Sequence, residues 1–345
     1  MPRSLLLAPA LSFCAASLLG QVPQQSNTTA SLRGLSIVSG RVAWASGSGG
    51  TVIRTIDGGV TWRADTIPGA ARFDLRAIAA FDAETAVVAA TAGRIWRTDN
   101  GGKTWSLVYE NPDSAVFLDA IAFWPGAPTR GLVLGDPIDG RFLILTTADG
   151  GRTWRESPKD SRPAALPGEG AFAASGSSLV MHGSSRAWIG TGVNAARALR
   201  TTDGGKTWTA STTPLAASGD AAGIFSLSFA DSLTGIAVGG DYTKAAARDR
   251  SAAVTKDGGV TWQAATSYPH GFRSAVAIVP RTAGRSAFAV GTNGVDRSDD
   301  GGMSWIRIDT TGYHTIAFSH DGIGWATGGR GRVARFVADS VRSRP

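Results

Sequence analysis

Short apolar runs that end in glycine recur along the chain, and each is followed by a second short run in which apolar and polar residues mix. The six apolar runs are VAWASG, AVVAATAG, GLVLG, AWIGTG, GIAVGG and AFAVG. The runs that follow them are TVIRT, RIWRT, LILTT, ALRTT, AAVTK and VDRSD. Runs of this length, bounded by glycine and polar turn residues, predict pairs of adjacent β-strands rather than helices.

A third strand is predicted ahead of each pair. Its seven copies are LRGLSIV, DLRAIAAF, FLDAIAFW, GAFAAS, FSLSFA, FRSAVAIV and YHTIAFS, so the fourth copy falls at residues 170–175. The sequence at 324–336, GWATGGRGRVARF, repeats the strand pair a seventh time. The chain therefore contains seven copies of one β-unit.

An eight-residue motif, which we call the turn box, follows six of the strand pairs. Its copies are TIDGGVTW, TDNGGKTW, TADGGRTW, TTDGGKTW, TKDGGVTW and SDDGGMSW, and their tryptophans are 43, 49, 54, 54 and 43 residues apart. This spacing is typical of one four-stranded blade of a β-propeller and not of a helical repeat.

The turn box is explained as a hairpin turn. An Asp carboxylate accepts hydrogen bonds from nearby backbone N–H groups, and paired glycines supply the turn geometry, while the tryptophan is expected to pack between neighbouring blades. The residues assigned this structural role are Asp57, Asn100, Asp149, Asp203, Asp257 and Asp300. A shared catalytic or calcium role is disfavoured, because residues placed one per blade are too far apart to act on one bond.

The fold class predicted is all-β, a seven-bladed β-propeller of four-stranded blades. The last repeat lacks an outermost strand, and residues 22–30 ahead of the first repeat are expected to supply it. Such closure removes exposed sheet edges. Residues 21–345 are therefore assigned to a single propeller domain, which we expect to be a monomer.

Composition agrees with a soluble β-rich protein, since Gly accounts for 45 of 345 residues and only 18% are charged. The net charge is +7, but five of the 34 basic residues are Lys and the Arg residues are scattered. A nucleic-acid partner is disfavoured because it normally requires clustered basic residues with interleaved aromatics. The charge favours acidic partners.

Residues 1–20, MPRSLLLAPALSFCAASLLG, have the basic start, apolar run and small residues of a secretory signal peptide. The protein is therefore expected in the periplasm or secreted, with no stable membrane span after signal removal. A retained anchor and lipid modification of Cys14 are minor alternatives, since Pro9 interrupts the run and Phe13 precedes the cysteine. Cys14 is the only cysteine, so the mature chain has no disulfide.

The turn boxes resemble the Asp-box or BNR repeats of the sialidase-like superfamily, over roughly residues 31–337. Related families are sialidases, sortilin-type receptors, xyloglucan-cleaving hydrolases and photosystem II assembly and stability factors. Seven repeats behind a terminal signal most resemble the assembly-factor-like exported propellers. That resemblance implies a non-catalytic scaffold that binds a protein partner.

The alternative is a glycoside hydrolase or sialidase-like enzyme acting on a glycan or anionic substrate in the central mouth. The Arg-Ile-Pro signature of sialidases is missing, and the xyloglucan-cleaving relatives typically need two propellers. Dinucleotide, phosphate-loop, zinc-protease and nucleophile-elbow motifs are also missing. Four histidines without paired ligand spacing favour no metal site, and no cofactor is expected. Enzymatic activity therefore stays open, with a binding role preferred.

Candidate binding residues come from the predicted strand register. The starts of the inner strands should meet at one face, and they carry Arg33, Arg76, Asp119, Glu169 with Phe172, Ser226, Arg273 and His314. Longer loops on that face add Asp136, Asp139, Asn194, Asp241, Tyr242 and Lys244. The three Arg residues are expected to converge and grip an anionic ligand or partner through bidentate hydrogen bonds.

Two simpler explanations stay open for these residues. The polar side chains at the axis can merely solvate a channel, and the aspartates of the loops are also ordinary turn residues. Calcium binding by Asp136, Asp139 and Asp241 is a further alternative, although the spacing has no EF-hand pattern.

Overall fold

The predicted strands assemble into seven four-stranded antiparallel sheets in the computed structural model, which describes residues 21–337. Blades 1 to 3 contain β2 (Leu32–Ile37), β3 (Ala43–Gly47), β4 (Thr51–Thr55), β5 (Arg63–Thr66); β6 (Leu75–Ala80), β7 (Ala86–Ala90), β8 (Arg94–Thr98), β9 (Ser106–Glu110); and β10 (Leu118–Trp124), β11 (Ala127–Ile138), β12 (Arg141–Thr147), β13 (Arg155–Glu156). Blades 4 to 6 contain β14 (Leu179–His182), β15 (Arg186–Gly190), β16 (Arg197–Thr201), β17 (Thr209–Thr212); β18 (Ala222–Phe229), β19 (Gly235–Asp241), β20 (Ala252–Thr255), β21 (Gln263–Ala264); and β22 (Ala275–Ile278), β23 (Ala287–Gly291), β24 (Gly294–Ser298), β25 (Ile306–Asp309). Blade 7 contains β26 (Thr315–Phe318), β27 (Ile323–Thr327), β28 (Val333–Val337) and β1 (Val22–Gln24).

Helix is confined, in the described residues, to two single turns of 3₁₀ type, Lys159–Ser161 and Tyr242–Lys244. No helix within residues 21–337 has the length and apolar character needed to cross a bilayer. The predicted signal peptide at residues 1–20 lies outside the described part of the chain.

The ring closes through the N-terminal strand, as the sequence predicts. β1 pairs antiparallel with β28, with Val22 opposite Arg335 and Gln24 opposite Val333. The final sheet has the order β1-β28-β27-β26, whereas every other sheet uses four consecutive strands. The first and last blades are thereby joined, and β28 has no unpaired edge.

Blade 4 corrects one strand prediction. Residues 170–175, expected to form its innermost strand, form no regular strand, and Leu179–His182 takes that place. Ala171, Ala173 and Ala174 are buried, as residues of an inner strand would be, but they are not part of a sheet. The segment crosses the axis of the ring, as described for the site below.

The core lies between successive blades, and the turn-box tryptophans are part of it. Trp62 of blade 1 packs edge-to-face on Trp325 of blade 7, with ring centroids 6.3 Å apart. Trp105 of blade 2 meets Trp44 of blade 1 in the same way at 6.4 Å. The predicted packing of these tryptophans between blades is confirmed, and it fixes each blade against the preceding one.

Each turn box is closed by hydrogen bonds to its Asp or Asn. In blade 1, Thr61 donates to Asp57 from its backbone N–H over 2.9 Å and from its hydroxyl over 2.6 Å. The Thr55 hydroxyl donates to Asp57 over 2.8 Å and accepts from the N–H of Gly59 over 2.9 Å. Gly58 and Gly59 have φ of 78° and 84°, a region that other residues resist. The turn thus needs both the carboxylate and the glycine pair.

We expect Asp57→Ala to lower the free energy of unfolding by about 1–3 kcal/mol, because several turn hydrogen bonds are lost at once. The hydrogen bond from the Thr61 hydroxyl, followed by that from its N–H, lowers the pKa of Asp57 to about 2. A carboxylate with a depressed pKa stabilises the fold above its unfolded pKa, and this contribution disappears as the pH falls through the folded value. Denaturant titrations between about pH 4 and pH 2 should therefore show stability falling in the wild type.

The matched control for this prediction is Asp57→Asn. Asn100 occupies the same place in blade 2, where its side-chain oxygen accepts from the Thr104 N–H over 2.9 Å and its amide donates to the Thr104 hydroxyl over 2.8 Å. Asparagine should therefore cost less than alanine and remove part of the acid dependence. Equal stability of the alanine variant and the wild type would contradict the role assigned to the turn hydrogen bonds.

Candidate functional site

A cavity of about 400 Å³ lies at the end of the central channel where the inner strands begin. One side is basic, with Arg33 of β2, Arg76 of β6 and His314 just before β26. The other side is a group of aromatic rings, which we call the aromatic wall: Phe172, Phe225, Tyr242 and Phe272. The cavity thus combines a cationic half with an apolar half.

The floor of the cavity is a segment of blade 4 that crosses the channel, residues 171–177, which we call the plug. Its Ala171 N–H donates to Asp136 of blade 3, its Ala174 carbonyl accepts from Arg33 of blade 1, and its Ser175 carbonyl accepts from Thr315 of blade 7. The plug therefore bonds to blades on several sides of the axis.

The far end of the plug is held by blade 5. The hydroxyls of Ser177 and Ser226 lie 2.7 Å apart, and the Leu227 N–H donates to the Ser177 carbonyl over 3.0 Å. Ser226, singled out at the start of a predicted inner strand, therefore anchors the plug.

The two arginines of the mouth carry charge that nearby carboxylates only partly balance. Arg76 donates from Nε to Asp74 over 2.7 Å. Arg33 donates to the carbonyl of Ala174 over 3.4 Å and has no ion pair to any carboxylate within residues 21–337. Burial, followed by the repulsion from Arg76, lowers the pKa of Arg33. The two like charges therefore lie close enough to repel, and an anion between them would relieve that repulsion.

His314 adds a hydrogen-bonding group rather than a charge. Burial, followed by the charges of Arg33, Arg332 and Arg76, lowers its pKa to about 4. Its Nε2 lies 3.2 Å from the hydroxyl of Ser31. The ring is therefore neutral at pH 7, and the positive charge of the mouth comes from the arginines.

Two carboxyl groups lie beside the arginines. Asp136 lines the cavity and accepts from the Ala171 N–H over 2.9 Å, and burial raises its pKa. Asp119 is fully buried, and neither of its oxygens has a hydrogen-bond partner among the described residues. Burial, followed by the charge of Asp136, raises the pKa of Asp119 well above its usual value. Burial therefore favours the neutral form of the Asp119 carboxyl group.

The aromatic wall is tightly packed. Phe172 and Phe225 stack with centroids 3.7 Å apart and planes 8° from parallel, and Phe225 meets Phe272 edge-to-face at 4.6 Å. Tyr242 packs edge-on against Phe172 at 6.5 Å and against Phe225 at 6.2 Å, and it is 53% exposed. The wall gives a ligand a rigid apolar surface whose outer edge carries a hydroxyl.

The expectation that Arg273 joins the mouth is wrong. Its side chain is fully buried and donates to Asp296 of β24, as well as to Asn293 over 2.6 Å. Asp296 also contacts Nδ1 of His270 at 2.8 Å. The next residue, Ser274, lines the cavity instead. Arg273 therefore stabilises blade 6, because the buried carboxylate of Asp296 holds it inside the blade.

Glu169 is also occupied internally. It accepts from Arg197 through a buried ion pair and from the Thr191 hydroxyl over 2.6 Å, so it clamps the segment that leads into the plug. Its carboxylate does not line the cavity.

The remaining predicted loop residues lie outside the cavity lining. Asp139 pairs with Lys159 at 3.2 Å in an exposed turn, and the Asn194 amide donates to Asp220 over 3.4 Å. Asp241 accepts from the Thr243 N–H over 2.9 Å and pairs with Lys244 at 3.3 Å, beside Tyr242. Within residues 21–337, no group of three or more His, Cys, Asp or Glu side chains is arranged to hold a metal ion. The three aspartates considered for calcium accordingly form no such group.

The mouth thus brings together Arg33, Arg76, Asp136, Tyr242 and His314 from the predicted set, with Asp119 buried behind them. Sequence reasoning did not assign a binding role to Phe225 and Phe272. A signal was present, because three inner-strand copies, FLDAIAFW, FSLSFA and FRSAVAIV, begin with phenylalanine, and the first of these residues, Phe117, also lines the cavity.

This architecture defines a seven-bladed β-propeller with a cationic and aromatic central mouth. No protein-family model matches the sequence, and no curated protein matches it either.

Solved structures share the fold. YCF48 bound to a D1 peptide aligns with a TM-score of 0.65 and 17% identity, covering 97% of this chain and 100% of that chain. YCF48 from Cyanidioschyzon merolae gives 0.62 and 20%, covering 93% and 99%. The GH74 enzyme from Niastella koreensis gives 0.50 and 13%, covering 86% of this chain and 62% of that chain. At these identities the similarity describes the fold.

Proposed function

We propose that this chain is a non-catalytic propeller that binds a protein partner through its central mouth, where an anionic group of the partner is held. The observation that carries the proposal is that Arg33 and Arg76 line one cavity. Among the described residues, Arg76 is ion-paired with Asp74 and Arg33 has no ion pair. Residues 1–20 support an exported location for this activity, periplasmic or secreted.

The binding free energy would come mainly from hydrogen bonds between the guanidinium groups and an anionic group of the partner, in a cavity partly shielded from water. Guanidinium groups recognise a carboxylate through paired hydrogen bonds, and each charge-assisted bond contributes about 1.5–3 kcal/mol. The aromatic wall excludes water from one side of the cavity, which strengthens these bonds. A partner that presents an anionic group beside an apolar one would use both halves of the mouth.

The comparison with YCF48 supports the class of ligand only by analogy, because that protein was seen with a D1 peptide and shares the propeller architecture with this chain. The mouth residues of this chain carry the argument independently of it.

A hydrolase is the second candidate, favoured by the carboxyl groups of Asp119 and Asp136 with raised pKa. Paired-carboxylate hydrolysis requires both groups to reach the substrate. Asp136 lines the cavity, but Asp119 is fully buried outside its lining. Assays with aryl glycosides test this candidate, since turnover lost on Asp136→Asn would favour an enzyme over a scaffold.

We expect Arg76→Ala to weaken partner binding about tenfold or more, because one charge-assisted contact is lost while Arg33 remains. The measurement is quantitative mass spectrometry of proteins captured from periplasmic extract by wild type and variant, followed by calorimetric titration of the captured protein. The melting temperature should change little, since the side chains of Arg76 and its partner Asp74 are about 30% exposed.

The control for this experiment is Arg155→Ala, an exposed arginine on the outer strand β13. It removes the same charge from the protein far from the mouth and should leave binding unchanged. Equal losses in both variants would reduce the effect to net charge and would contradict a specific site at the mouth.

A further inference from the structure

The cavity is a cup with a floor, because the plug crosses the channel beneath it. Ala171, Phe172, Ala173 and Ala174 of the plug all line the cavity. Behind them the backbone carbonyl of Ser175 accepts from blade 7 over 3.2 Å, and Gly176 lies against the backbone of Arg76 and Ala77 in blade 2. A ligand chain that enters the cup therefore meets backbone and cannot continue along the axis.

We propose that the cup binds the C-terminal residue of an extended polypeptide. The terminal carboxylate would lie between Arg33 and Arg76, and the last side chain, apolar or aromatic, would pack on the aromatic wall. This inference rests on the proposed function and names the part of the partner that the mouth recognises.

The shape of the cup favours a chain end over an internal segment. An internal acidic residue could reach the floor only if the chain entered and left through the same opening. A cavity of about 400 Å³ is near the lower end of the range for small-ligand sites, roughly 300–1,000 Å³, and favours one strand over the two strands of a bent chain. A terminal residue enters with one strand only.

The chemistry of the two halves also fits a terminal residue. The free carboxylate provides two acceptor oxygens for the planar donors of the guanidinium groups. The same residue carries a side chain on the adjacent carbon, within reach of the opposite half. There the residues Phe225 and Phe272 are 2% and 4% exposed, and the hydroxyl of Tyr242 is the only polar side-chain group of the aromatic wall. A polar side chain would therefore lose hydrogen bonds to water on entering, whereas an apolar side chain would not.

The test uses peptide pools tethered by their N-termini, with random bodies and a fixed last residue of Leu, Phe, Ser or Asp. Each pool is prepared as the free acid and as the C-terminal amide. We expect the full-length protein to retain free acids ending in Leu or Phe at least tenfold better than the matching amides and better than acids ending in Ser or Asp. Fluorescence anisotropy of individual retained peptides gives the dissociation constants.

Two variants separate the halves of the cup. Arg33→Ala combined with Arg76→Ala should remove the preference for the free acid, whereas Tyr242→Ala should reduce the preference for Leu and Phe about threefold and keep that for the acid. Tyr242 is exposed, so this variant is expected to fold as the wild type does. Arg155→Ala is the charge-matched control, and thermal melting verifies folding of every variant.

The outcomes distinguish the inference from the function on which it rests. Amides retained as well as acids, with binding still dependent on Arg76, would overturn terminal recognition and leave a protein-binding mouth. Competition by N-acetyl-leucine at the concentrations at which the peptides themselves bind would identify a small-carboxylate site and overturn recognition of a polypeptide. No retention of any peptide pool by a folded protein would contradict both proposals.

Discussion

Replacing Trp62 by alanine will lower the free energy of unfolding by about 3–5 kcal/mol, the usual cost of truncating a large buried aromatic side chain. Trp62 is 2% exposed, packs edge-to-face on Trp325 and donates from its ring N–H to Gln24 of β1 over 2.9 Å. The same Gln24 oxygen accepts from the ring N–H of Trp325 over 2.9 Å. The substitution therefore loosens the point where the ring closes.

Chemical denaturation followed by circular dichroism measures this effect. Trp208→Ala is the matched control, because it removes a turn-box tryptophan that is only partly buried and whose ring N–H has no hydrogen-bond partner among the described residues. We expect a smaller loss at Trp208. A loss below about 1 kcal/mol at Trp62 would show that packing between blades 1 and 7 does not hold the ring together.

Replacing Arg273 by alanine will destabilise the protein by about 3–5 kcal/mol, because it leaves a buried carboxylate without its main partner. Asp296 is fully buried, and after the substitution His270 is its only bonded partner among residues 21–337, through the ring nitrogen Nδ1 and the backbone N–H of His270. We expect a lower melting temperature. The protein that remains folded should bind its partner almost as well as the wild type does.

The double variant Arg273→Ala with Asp296→Ala tests the assignment. If the ion pair is the cause, the double variant should be more stable than the sum of the single losses predicts. A stable Arg273→Ala variant that has lost partner binding would instead return Arg273 to the mouth and contradict its placement inside blade 6.

The sequence alone predicted the number of blades, the closure of the ring and the innermost strand of every blade except blade 4. These features follow from local sequence patterns, because strands appear as short apolar runs and hairpin turns need Gly and Asp at fixed positions. The same patterns recur in each repeat. The same register placed Arg33, Arg76 and His314 at one end of the channel, because strands that start at the same face bring their first side chains to the axis. Repetition made the prediction accurate.

The tertiary structure decided the features that depend on contacts between distant parts of the chain. The apolar segment 170–175 looks like a strand copy, yet it crosses the axis because Asp136 and Ser226, from blades 3 and 5, hold its two ends. Arg273 has the register of a mouth residue, but Asp296, 23 positions later, captures it inside the blade. Hydrophobicity indicates that a residue is buried but not which residues cover it, so only the folded ring distinguishes an inner strand from the plug. In the same way, only the folded ring distinguishes an arginine that lines the cavity from one in a buried ion pair.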